Sequence, residues 1–136
     1  MPTATYTKCT AAIEPLLEGI NVGSDAWKVA LTNASAVAKT AFVAGTDDLA
    51  TLNGYTAGGN ACTVTTAAQT AGTYTFTLTN PTAWTASGAV GPFQYAVLWD
   101  TTTGTPVAQW DYGSSISLAS ADTFTFTFSG NVFTAA

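Results

Sequence analysis

Thr73–Thr79 reads TYTFTLT, with Tyr74, Phe76 and Leu78 alternating without a break against threonines. Successive side chains of a β-strand point to opposite faces, so this pattern predicts a strand with one apolar and one hydroxyl-bearing face. Asp122–Ser129 (DTFTFTFS) repeats it with Phe124, Phe126 and Phe128. Pro92–Asp100 (PFQYAVLWD) places Phe93, Tyr95, Val97 and Trp99 on one face, while Gln94, Ala96 and Leu98 make the other partly apolar too. A run that is apolar on both faces predicts a central strand. DTTTGT at Asp100–Thr105 predicts a hairpin loop into a strand over Pro106–Tyr112, followed by a turn at Gly113–Ser115.

The same reading extends outward. Trp27, Val29 and Leu31 alternate with Lys28 and Ala30. Ala61–Thr66, Thr82–Ala86 and Asn131–Thr134 read as shorter strands, and Asn53–Asn60 (NGYTAGGN) as a loop. Closely spaced short strands without alternating helices predict a mainly β, antiparallel β-sandwich of jelly-roll or Ig-like type. Helical signals are few. Thr7–Gly19 (TKCTAAIEPLLEG) puts Ile13, Leu16, Leu17 and Ile20 on one helical face, with Gly19 as its terminator. Pro15 either kinks this helix or sits in the first turn of a shorter one. Thr46-Asp47-Asp48-Leu49 predicts a single helical turn at 47–52. One domain spans 1–136, with an N-terminal arm or helix over about residues 1–20.

Composition narrows the function. Charged residues make up 8% of the 136, against roughly 25% in an average soluble domain, and threonine fills about one position in five. Three scattered lysines, no arginine and a net charge of −5 argue against nucleic-acid binding, which rests on cations that neutralise phosphates. Without histidine, a Ser-His-Asp or Cys-His arrangement cannot form, nor can a His-ligated metal site. No enzymatic activity, cofactor or metal is expected. Leu49–Trp99 lacks Asp, Glu, Lys and Arg, yet polar residues interrupt it before about 18 apolar residues accumulate, so no membrane helix is expected. Met1–Ala11 has no apolar core of a signal peptide, and synthesis in a cytoplasm is the expectation.

Among the remaining residues, Cys9 and Cys62 read as free buried thiols in the absence of an export signal, with a disulfide closing a long loop as the alternative, and they have no CxxC or metal spacing. Glu14 and Glu18 read as a solvated helix face, and Asp100 and Asp111 flank the DTTTGT hairpin and are placed to face each other. The threonine rows suit an outer strand face, with an ice-binding face as the sharper alternative. Trp84, Trp110 and Tyr112 are the aromatics left over from the core, fit for a subunit interface or a sugar-stacking platform. Ile13, Leu16 and Leu17 are core if the helix packs on its own sheet, and anchors on a partner if it reaches out as an arm. A chain with so little charge and so many aromatics suits an assembly in which neighbours cover its surface.

Gly23-Ser24-Asp25 followed by Trp27-Lys28-Val29-Ala30-Leu31-Thr32-Asn33 resembles the opening motif of a family of small structural proteins encoded by tailed bacteriophages. Thr85–Tyr95 (TASGAVGPFQY) is similar to another family segment, with Gln94 where a basic residue is common. Tyr112-Gly113-Ser114-Ser115 and Asp122-Thr123-Phe124-Thr125 resemble its closing strands, so the likeness extends from Ala12 onward. It implies a virion component, above all a capsid decoration (cement) protein made in the host cytoplasm and carried on the capsid surface. Its implied partner is the major capsid protein, and local three-fold sites on a capsid make a homotrimer the first expectation. The alternative is a tail-fibre or receptor-binding module that presents Trp84, Trp110, Tyr112 or the Asn53–Asn60 loop to a host glycan.

Overall fold

Phe76 and Leu78 are buried, as their alternation predicts, and the chain around them is mainly antiparallel β-structure. The computed structural model describes residues 3–135. Along the chain lie β1 (Thr5–Lys8), a 3-10 turn (Thr10–Ala12), α1 (Ile13–Glu18), β2 (Trp27–Thr32), β3 (Asn60–Cys62), β4 (Val64–Thr70) and β5 (Thr73–Leu78). There follow β6 (Trp84–Thr85), β7 (Val90–Asp100), β8 (Thr105–Leu118), β9 (Thr123–Phe124) and β10 (Phe133–Ala135). A five-stranded sheet has the order β1-β8-β7-β2-β3, a three-stranded sheet the order β10-β5-β4, and β6 pairs with β9. All pairings are antiparallel.

The main core lies between these sheets, where the rings of Trp27 and Phe76 meet at 5.1 Å across the interior. A second, smaller core of Ala30, Ala36, Phe42, Val97 and Trp99 covers the opposite face of the large sheet. β2 and β7 are therefore covered on both sides, as the two-faced apolar run of β7 predicts. The faces of β7 differ from the expected assignment in one respect. Phe93 joins Ala96 and Leu98 in the main core, whereas Tyr95, Val97 and Trp99 face the second. The cause is a bulge: register shifts between Phe93 and Tyr95, where two steps along β7 are matched by five along β8, and the alternation reverses there.

That bulge also absorbs the expected turn at Gly113–Ser115. Phe93 pairs with Ile116 and Tyr95 with Asp111, so residues 112–115 loop out within β8 instead of ending it. Asp111 accepts from the backbone N–H of Gly113 at 2.7 Å and stabilises the excursion. Asp122–Ser129 keeps its alternation, since Phe124, Phe126 and Phe128 are all buried. Only Thr123–Phe124 enters a ladder, however, because the Phe128 N–H is taken by the Asn80 side chain.

The N-terminal expectation is corrected more strongly. Thr7 and Lys8 are strand, paired with Gln109 and Ala108, and the helix begins only at Ile13. Edge pairing with β8 gives these residues backbone partners that an isolated short helix could not match. Pro15 accordingly sits in the first turn, where the missing N–H costs nothing. Gly19 ends the helix with its N–H on the Pro15 carbonyl, in a negative-φ conformation and not the left-handed one.

The helical turn expected at 47–52 is also displaced. It closes upstream, where the Thr46 and Asp47 N–H groups donate to the Val43 carbonyl. Asp47 accepts from the Val43 N–H and from Lys39 Nζ, both at 2.7 Å. The Lys39 hydrogen bond is the main reason its carboxyl is held below the usual carboxylate range. A lowered acid contributes stability above its unfolded pKa and loses it as pH falls through the folded value. Lys39→Met should therefore destabilise the fold at about pH 6 by less than about 1 kcal/mol for this partly exposed pair, seen as a slightly lower melting temperature. The difference from wild type should vanish as Asp47 protonates, and a pH-independent difference would refute the assignment.

Candidate functional site

β1 and β10 are the outermost strands of their sheets, and α1 lies beside them. Between these three elements opens a groove of about 410 Å³ whose lining is almost entirely apolar. Alternation along β1 aims Tyr6 and Lys8 into it, and Val107 from β8 contributes to its lining. On the other side Phe133 stacks with Tyr74 at 6.5 Å and packs on Phe76 at 5.1 Å. Burial pushes the Tyr6 phenol above its ordinary value.

Helix α1 buries none of its own residues fully. Leu16 is half-buried against the core, while Ile13 is 42% and Leu17 83% exposed. The two readings of this helix thus divide by residue: Leu16 packs on the domain, and Ile13 and Leu17 stand at the groove rim. Together with Tyr6, 45% exposed, they bring three large exposed apolar side chains to one place. Lys8 has no ion-pair partner among the described residues, and neither do Glu14 and Glu18 on the adjoining helix face.

The aromatics singled out from sequence divide as well. Trp84 is buried against Phe124, with its Nε1 unpaired, and the Tyr112 ring meets Phe124 edge-on at 5.5 Å. Burial pushes the Tyr112 phenol up to about 12. These two rings belong to the chain's own core, because β9 lays Phe124 across them, and a partner cannot stack on their faces. Trp110 is half-buried, wedged among Tyr6, Phe126 and Phe128. The sequence reading missed Tyr6, Lys8, Tyr74 and Phe133 as groove residues. Tyr6-Thr7-Lys8 would have revealed the first two, had it been read with strand period.

The acidic residues are committed to loops. Asp100 and Asp111 do not face each other: Asp100 pairs with Thr105 and Asp111 with Tyr95. Asp100 closes β7 opposite Thr105, six positions along β8 from Asp111. Asp100 accepts from the Thr102 N–H at 2.8 Å and the Thr103 hydroxyl at 2.8 Å, and burial raises its pKa. Asp111 accepts from Gln94 Nε2 at 2.9 Å, which with the Gly113 N–H lowers its pKa. Cys9 and Cys62 are free and buried, and burial pushes their thiols up to about 11 and about 12. Among the described residues no group of three or more Cys, Asp or Glu is placed to hold a metal ion.

The Asn53–Asn60 loop is tied down from within. Asn53 Nδ2 donates to the Ala89 carbonyl and Asn60 Nδ2 to the Thr82 carbonyl. Buried Tyr55 donates to Asp48 at 2.5 Å and accepts from the Leu31 N–H at 3.0 Å, and its phenol pKa is raised, first by burial and then by Asp48. β3 begins at Asn60 opposite Val29, so beyond Val29 the Tyr55 hydroxyl takes over as partner of β2. Tyr55→Phe should cost about 1–3 kcal/mol in urea unfolding, because it orphans the buried Leu31 N–H. A neutral result would show that water replaces the hydroxyl.

Compared with protein-family models, curated proteins and solved structures, the chain matches none.

Proposed function

We propose that this chain is a non-enzymatic structural protein of a tailed-phage virion, a capsid decoration (cement) protein that binds the outer capsid and bridges major capsid subunits. The observation that carries the reading is the gathering of Tyr6, Ile13 and Leu17, all exposed, around an apolar groove on a domain with so few charges. Exposed apolar clusters of this kind mark surfaces that a partner covers. The sequence resemblance supplies the partner class, a capsid lattice, and the homotrimer as the working assembly. The physical effect is mass action: a protein that binds only the assembled lattice stabilises it, by about 2.7 kcal/mol per site at a hundredfold excess over Kd.

The test is the abundance and position of this chain in purified virions. Head labelling with near-stoichiometric copies relative to the major capsid protein is the expected result. A few copies per particle, or labelling confined to the tail, would overturn it. The receptor-binding alternative is less well supported: Trp84 and Tyr112 are spent in the core, and the Asn53 and Asn60 amides on the backbone.

A further inference from the structure

We infer that the groove between β1 and β10 receives helix α1 of a second copy of this chain, Leu17 entering the groove while Glu14 and Glu18 meet Lys8. The inference rests on the oligomeric part of the reading above and names the surface that carries it.

The argument is one of matched shape and charge. The groove is concave and apolar, and it carries a cation, Lys8, that lacks an ion-pair partner among the described residues. Lys39, by contrast, is taken by Asp47. The helix supplies the complement. Leu17 projects at 83% exposure, and Glu14 and Glu18 lie within a turn of it, exposed and unpaired among the described residues. At 3.6 residues per turn, Glu14 lies about 60° and Glu18 about 100° around the helix from Leu17, both to one side of it. A neighbour that seats Leu17 in the groove therefore brings both carboxylates to the groove's cation. The chain carries a net charge of −5, so copies repel unless their cations are placed at the contact.

The contact has the usual anatomy of an interface, with an apolar centre and a charged rim. Ile13, Leu16 and Leu17 also line the groove of their own copy, so ridge and groove adjoin on one face. β1 and β10 also present free sheet edges on either side of the groove, and a seated neighbour covers both.

The experiment is sedimentation equilibrium of the full chain and four variants, at low and high salt. Leu17→Asp should weaken self-association ~10-fold or more, as expected for a central apolar anchor. Lys8→Glu alone, and Glu14→Lys with Glu18→Lys, should each weaken it, and the combination of all three reversals should restore it. These positions are exposed, so thermal melts should be unchanged and will separate misfolding from lost contact. An oligomeric wild type indifferent to these changes overturns the interface and leaves the oligomeric reading standing. A monomeric wild type at every concentration overturns both. If that monomer binds capsids and Leu17→Asp does not, the groove region belongs to the capsid contact instead.

Discussion

Gly59→Ala is expected to cost at least about 4 kcal/mol, most of the stability of a domain at the low end of the typical range of about 5–15 kcal/mol. Gly59 is the last residue before β3, where the chain crosses β2 at close range. A Cβ there would lie 1.8 Å from the Val29 carbonyl oxygen and 2.6 Å from the Ala30 Cα. Both obstacles are backbone of a central strand, so neither can rotate away. The residue also has φ +80°, which L side chains rarely adopt. Relief would require β3 to move off β2 and break the pairing of Val29 with Asn60. Gly72→Ala is the matched control. Its φ is +84°, but a Cβ meets nothing within 4 Å, so only about 1–2 kcal/mol of left-handed strain should appear. Urea unfolding of both variants decides the matter; equal costs would mean that the close approach of β3 to β2 is wrong.

Elements whose burial follows from a single local period were readable in advance. TYTFTLT, WKVAL and the long apolar run ending at Asp100 all become strands, and the phenylalanines at 124, 126 and 128 all face inward. What the period could not reveal was the register shift at Phe93–Tyr95, because a bulge is fixed by the partner strand and the excursion at 112–115. The N-terminal segment failed for a related reason. TKCTAAIEPLLEG reads as one helix on the spacing of Ile13, Leu16, Leu17 and Ile20, yet β8 offers Thr7 and Lys8 ladder partners that only the tertiary fold brings near. Reading Lys8 as helical hid its place in the groove. Trp84 and Tyr112 look like surplus aromatics in sequence because their core contacts run to Phe124, which only the fold lays across them. Leu16 and Leu17 illustrate the limit: adjacent leucines on a short helix look alike in sequence, and only the position of the sheet buries one and exposes the other.

Phe76→Ala is expected to cost about 3–5 kcal/mol, the range for truncating a fully buried aromatic. Phe76 is inaccessible to solvent and lies between two rings, Trp27 of the large sheet and Phe133 of β10, each at 5.1 Å. It therefore links the two sheets, and its removal leaves a cavity that no single neighbour can fill. Thr75→Val, one residue away on the opposite face, should change stability by no more than about 0.5 kcal/mol. A comparable loss from both substitutions would mean that the two faces of β5 are not distinct. The Phe76 loss should reach further than stability. Phe133 pairs with Phe76 in the β10–β5 ladder and also lines the groove. Where the variant stays folded, loosening β10 should weaken self-association as well, in conditions where Thr75→Val leaves it intact. Core and contact surface share one side chain at this point. A Phe76→Ala protein that is destabilised yet associates as tightly as wild type would separate the groove from β10 and place the contact on β1 and α1 alone.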